Sequence, residues 1–171
     1  MAYQRSIVKI IKERIEEQRH FIQIVIGPRQ TGKTTAVNQA IEQIDLLYVY
    51  AEATKGDSTQ DWIRAQWYQA RNLFASSQRS VLLIIDEVQY VQGWSSVIKT
   101  LWDEDTRNAV NVKVILTGSS ATLIQDGLNE SLMGRFELIY SLHWSYPECA
   151  EAFGYDLEDY LYFGGYPGAA V

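Results

Sequence analysis

Apolar residues gather into five short runs with little alternation: "FIQIVI" (21–26), "LLYVY" (46–50), "VLLII" (81–85), "VKVILT" (112–117) and "ELIYSL" (137–142). Runs of this length, rich in β-branched and aromatic residues, predict strands covered on both faces. Between them the period becomes helical. Ile7, Ile11 and Ile15 recur every fourth residue ahead of the first run, and Ile63, Trp67, Ala70 and Phe74 follow the second. Trp94, Val97, Ile98, Leu101 and Trp102 follow the third, and Leu123, Ile124, Leu128 and Leu132 follow the fourth, interrupted by Gly127. Strands alternating with helices predict right-handed crossovers, hence an α/β fold with a parallel sheet and helices on both faces. Ligands of such sheets sit beyond the carboxyl ends of the strands, so candidate chemistry is sought just after each run.

After the first run comes "GPRQTGKTT", which carries G-x-x-x-x-G-K-[ST] as Gly27, Gly32, Lys33 and Thr34. Glycines let successive backbone N–H groups curl inward around an anion, and the following helix adds its positive end. The loop, with Arg29, Gln30, Thr31 and Thr35 among its members, predicts a phosphate cradle. Lys33 is placed to reach the β- and γ-phosphates of a nucleotide and the Thr34 hydroxyl to ligate Mg²⁺. The bland alternative is a glycine-rich turn that caps a helix and binds nothing.

The third run ends in "DE". Asp86 is the first polar residue after five apolar ones, where a carboxylate can hold Mg²⁺ against the phosphates. Glu87 follows and can polarise a water for in-line attack on the γ-phosphate; a solvated strand end is the alternative. After the fourth run, Thr117, Ser119 and Ser120 are placed either to sense the γ-phosphate or, for the serines, to cap the next helix. Arg135 precedes the fifth run, to pair with a surface carboxylate or to act as an arginine finger toward a neighbouring subunit.

Composition narrows the class. One cysteine, Cys149, allows no intramolecular disulfide, and the N-terminus interrupts its apolar positions with charges too often for a signal peptide, so a cytoplasmic protein is expected. No apolar stretch approaches the roughly 20 residues that span a bilayer. A net charge of −6 gives no support for general nucleic-acid binding. Arg5, Lys9, Lys12, Arg14 and Arg19 are interleaved with Glu13, Glu16 and Glu17 and read as a solvated helix face. Among the tryptophans, Trp67 and Trp102 fall at helical core spacing, and Trp94 after Gly93 reads as a staple at its helix start. His20 and His143 are too far apart, with one cysteine, to predict a zinc site.

From the first helix through "GPRQTGKTT", "LLIIDEVQYVQGW", "ILTGSSATL", "ESLMGRFELIYSL" and "YLYFGGYPGA", the chain resembles the AAA+-like P-loop ATPases of archaea and bacteria. The resemblance implies a three-layer P-loop fold with a five-stranded parallel sheet of order 5-1-4-3-2. It implies ATP and Mg²⁺ as ligands, Glu87 as the catalytic carboxylate with Lys33 beside it, a sensor near Thr117 to Ser119, and Arg135 as a finger acting in trans within a homo-oligomer. One core domain is expected over 1–171: a leading helix (1–19), sheet and helices (20–142), and the start of a truncated C-terminal region (143–171). Family members continue further, so the chain reads as a fragment with weakened turnover, serving as motor or switch for absent domains.

A nucleotide-gated module that binds ATP with little hydrolysis is the alternative from another class. A small-molecule kinase would need an acceptor pocket and an arginine-rich lid, and GTP an Asn-Lys-x-Asp segment; none is found in the sequence.

Overall fold

The computed structural model describes residues 3–56, 59–119, 121, 132–166 and 168. Five parallel strands form one sheet: β1 (Ile22–Ile26), β2 (Leu47–Glu52), β3 (Val81–Asp86), β4 (Val112–Gly118) and β5 (Phe136–Tyr140). Their order is β2-β3-β4-β1-β5, the expected one read from its other edge. The described helices are α1 (Ser6–Glu16), α2 (Lys33–Ile41), α3 (Gln60–Ser77), α4 (Trp94–Arg107), α5 (Tyr146–Phe153) and α6 (Leu157–Phe163).

Helices cover both faces because strand side chains alternate between them. Ile22, Ile24 and Ile26 of β1, with Leu83 and Ile85 of β3, face a core completed by Trp67 of α3 and Ile98 and Leu101 of α4. Val25, Leu82, Ile84 and Ile115 point the other way, onto Ile7, Ile11 and Ile15 of α1 and Val37 and Ala40 of α2. The leading helix is thus part of the sandwich. Lys113 on β4 fixes its end by donating to the carbonyls of Ile15 and Glu17, orphan acceptors of the last turn.

Three expectations change. The basic residues of the leading segment are not one solvated face. Lys9, Lys12 and Arg14 do make exposed pairs along the helix, but Arg5 is only 8% exposed. Arg19 lies 3.5 Å over the Trp102 ring and donates to the carbonyls of Val112 and Trp102. The closing segment, expected as a turn, contains α5 and α6, each opened by a capping box: Ser145 with Glu148, and Asp156 with Asp159. β5 stops at Tyr140 because its partner β1 ends at Ile26, the residue paired with it. The helix expected around Leu123, Ile124 and Leu128, and Ser120 with it, lies outside the described residues; Leu132 is buried in the core.

Candidate functional site

Loop 27–34 leaves β1 at its carboxyl end and turns into α2 through two left-handed residues, Gln30 (φ 62°) and Gly32 (φ 85°). Gly27 has no room for a side chain: a Cβ there would lie 2.0 Å from the Ser141 carbonyl oxygen at the end of β5. The Lys33 ammonium bends across the loop and donates to the carbonyls of Gly27 (3.1 Å) and Pro28 (2.7 Å). Burial pushes its pKa down, while the charges of Glu87 and then Asp86 push it back up. Arg29 and Gln30 are exposed, Thr31 is fully buried, and Thr35 is exposed on the first turn of α2.

Asp86 ends β3 and is 2% exposed. Its Oδ2 accepts from the Thr34 hydroxyl (2.8 Å) and the Tyr50 hydroxyl (2.8 Å). Its Oδ1 accepts from the Thr117 hydroxyl and the Glu87 backbone N–H (3.1 Å). These four neutral donors fill the acceptor positions of a buried carboxylate that makes no ion pair among the described residues. Burial, then the bond to Asp86, raises the pKa of Tyr50, which stays a donor.

Glu87 takes a left-handed conformation (φ 54°), which costs a side-chain-bearing residue about 1–2 kcal/mol. Its N–H is held by Asp86 and by Thr117 Oγ1 (3.1 Å), and its carboxylate accepts from the Gln89 side chain. Strain held by its neighbours aims the chain after β3 along a fixed path. Ser119 follows β4, one residue beyond Gly118, the register partner of Ile26.

The structure therefore brings Lys33, Thr34, Asp86, Glu87 and Thr117 to one end of the sheet. It places Arg135 at the other. Arg135 precedes β5, its carbonyl accepts from the N–H of Ile22 at the start of β1, and its guanidinium forms a fork on Asp103 of α4 (2.7 and 3.1 Å). A five-residue strand separates it from loop 27–34, roughly 15 Å.

Sequence reasoning missed four residues here. Tyr50 and Gln89 hold the two carboxylates. Arg5 and Trp144 both donate to the Thr31 carbonyl, at 2.9 and 3.2 Å. Beside them, Tyr3, Trp144, Thr35 and Gln39 line a cavity of about 340 Å³ that opens against Gly32. No periodicity marks Tyr50, Arg5 or Trp144, because their partners are distant in the chain; Gln89 lies two residues from Glu87 but falls outside any apolar period.

Residues 19–150 match the family model described as "AAA domain". The chain belongs to that family. Its fold is that of P-loop ATPases. It superposes on the Aeropyrum pernix ORC1 protein, solved in complex with DNA, with a TM-score of 0.66 and 9% identity over 90% of this chain and 49% of that one. A Walker-type ATPase of Pyrococcus abyssi gives 0.63 and 13% identity over 98% and 65%. In sequence, the AAA domain is 29% identical to an uncharacterized protein of Haemophilus influenzae over 88% of this chain, and 27% identical to one of Methanocaldococcus jannaschii over 68%. It spans 40% and 26% of the lengths of those two relatives. Among its described residues no helix is long and apolar enough to cross a membrane.

Proposed function

We propose that this AAA domain binds ATP with Mg²⁺ and hydrolyses it to ADP and phosphate, as the motor or switch of a longer protein. The observation that carries the reading is the 2.8 Å bond between Thr34, at the mouth of the loop, and Asp86, at the end of a separate strand. It joins a phosphate-binding turn to a carboxylate across the sheet.

The donor set fits Mg²⁺: hydroxyl and carboxylate oxygens, with no cage of three His, Cys, Asp or Glu among the described residues, which suits an ion that takes much of its shell from phosphates and water. The Thr34 hydroxyl oxygen would hold it, with Asp86, whose oxygens are already occupied, acting behind it through the Thr34 hydroxyl or a bridging water. Bound there, Mg²⁺ would supply neutralisation of the phosphate charge. Lys33 stabilises the same charge from the loop side. Glu87 accepts a proton from the attacking water as the water oxygen bonds to the γ-phosphorus and the bond to the β-phosphate oxygen breaks. Thr117, tied to Asp86 and to the Glu87 N–H, keeps both carboxylates in register.

The cavity beside Gly32 supplies a place for the base. Thr34 faces Asp86, whereas Thr35 and Gln39, one helical turn apart, face Tyr3 and Trp144. A nucleotide laid along the loop has its γ-end at the carboxylates and its base among aromatic rings, an arrangement in keeping with stacking. Arg135, at the opposite end of the sheet, serves a neighbouring copy in a homo-oligomer and not its own loop.

The test is Glu87→Gln in the full-length protein. ATP and Mg²⁺ binding should persist while hydrolysis falls about 100-fold or more; unchanged turnover would show that Glu87 does not activate the water. The hold of Gln89 on Glu87 favours a second reading, a module that binds ATP as a signal and turns it over slowly. A natural protein already as slow as Glu87→Gln, with ATP affinity intact, would select it.

A further inference from the structure

Arg5 lies at the start of α1, outside every motif in the sequence, yet all five of its N–H donors are spent on three other parts of the chain. Nε and Nη2 clamp the Glu148 carboxylate of α5 (3.0 and 3.2 Å). Nη2 also donates to the Leu142 carbonyl (3.2 Å) and Nη1 to Ser141 Oγ (3.4 Å), both just past β5. The remaining donor, on Nη1, goes to the Thr31 carbonyl in loop 27–34 (2.9 Å). That oxygen also accepts from Trp144 Nε1 (3.2 Å), whose ring lies 5.0 Å beneath the guanidinium.

Two donors on one carbonyl fix the rotation of the Thr31–Gly32 peptide. In a trans peptide the N–H points opposite to the C=O, so a Thr31 oxygen held outward turns the Gly32 N–H inward. Gly32 sits at φ 85°, has no side chain, and has nothing within 4 Å of where its Cβ would be, so no side-chain contact of its own steadies that peptide.

We propose that Arg5 is a positioning residue of the phosphate-binding loop: locked by Glu148 and assisted by Trp144, it holds the Thr31 carbonyl outward so that the Gly32 amide faces the bound phosphate. The inference rests on the reading of loop 27–34 as that loop. Its consequence is that the loop is completed by residues from both ends of the domain. An ammonium in place of the guanidinium keeps the charge but cannot span Glu148 and Thr31 together.

The experiment compares the natural full-length protein with Arg5→Lys and Trp144→Phe, using ATP and inorganic triphosphate as probes and Lys33→Ala as the control. Arg5→Lys should weaken both probes by about tenfold, and Trp144→Phe should weaken inorganic triphosphate by a smaller factor. In ¹⁵N-labelled protein the Gly32 amide resonance should move on adding inorganic triphosphate, and move less in both variants, a readout that a purely structural role leaves alone. Folded Arg5→Lys with natural affinity for inorganic triphosphate and a natural Gly32 shift overturns the inference and leaves the ATP reading standing. If Arg5→Lys fails to fold, Trp144→Phe decides by the same two measurements. A natural protein that binds neither probe, or binds them as well after Lys33→Ala, overturns the ATP reading and this inference with it.

Discussion

Replacing Gly27 by alanine tests whether the loop and the end of β5 are built against one another. The added Cβ would meet the Ser141 carbonyl oxygen at 2.0 Å and its carbon at 2.8 Å, where contacts under 3.0 Å are essentially never seen. One of the two backbones must therefore move by about 1 Å. Neither is loose: the Ser141 N–H donates to the Ile26 carbonyl at 2.7 Å, and Arg5 holds Ser141 Oγ and the Leu142 carbonyl. A shift of that size forfeits the Ser141–Ile26 bond, about 1 kcal/mol, on top of about 1–3 kcal/mol for overpacking. For a domain of this size the sum corresponds to a fall in melting temperature of roughly 4–16 °C. Thermal unfolding followed by circular dichroism measures it, and ATP affinity should fall in parallel. Gly32→Ala is the companion, since its methyl meets nothing within 4 Å and suffers only from φ 85°, about 1–2 kcal/mol. A Gly27→Ala protein melting within about 2 °C of the natural one would refute the argument from contact.

Three further outcomes are expected. Burial alone would raise the pKa of Glu148, but its bonds to Arg5 and Ser145 outweigh that and hold it below the ordinary glutamate value. A carboxyl whose folded pKa is depressed gives stability above its unfolded pKa and loses it as pH falls through the folded one, so Glu148→Gln should flatten the loss of melting temperature as pH falls below the ordinary glutamate range; equal slopes in both proteins would contradict this. Arg135→Ala should change stability by less than about 1 kcal/mol, since both partners of the Asp103 pair are one-third exposed. Mixed with Glu87→Gln copies it should regain part of its ATP turnover, and no regain at saturating protein would exclude a role across an interface.

The three central strands, β1, β3 and β4, were legible because they are buried almost throughout and write themselves as apolar runs, whereas the edge strands β2 and β5 leave Tyr48, Tyr50 and Tyr140 exposed. The loop and the "DE" pair were legible because strand ends mark where polar residues gain a purpose. Arg5 was not. It sits in a helix rich in Glu and Lys, and the partner that distinguishes it, Glu148, lies 143 positions away. Tyr50 looked like one more apolar member of its run, although its hydroxyl reaches Asp86 from the neighbouring strand. α5 and α6 announce themselves only in their caps, "SYPE" and "DLED", which are faint next to an apolar period. Chain order encodes neighbours well and distant pairings poorly, and apart from Gln89 on Glu87 the refinements of this site are distant pairings.

The central place of β1 has a bearing on synthesis. Its two flanking strands are β4 and β5, so a ribosome that has released the chain only as far as α2 has exposed the glycine loop without the walls it leans on. Closing such remote parallel pairings is the slow part of acquiring the native topology. If Arg5 positions the loop as proposed, the nascent domain gains its grip on an anion late in folding, once α5 has emerged and Glu148 can meet Arg5.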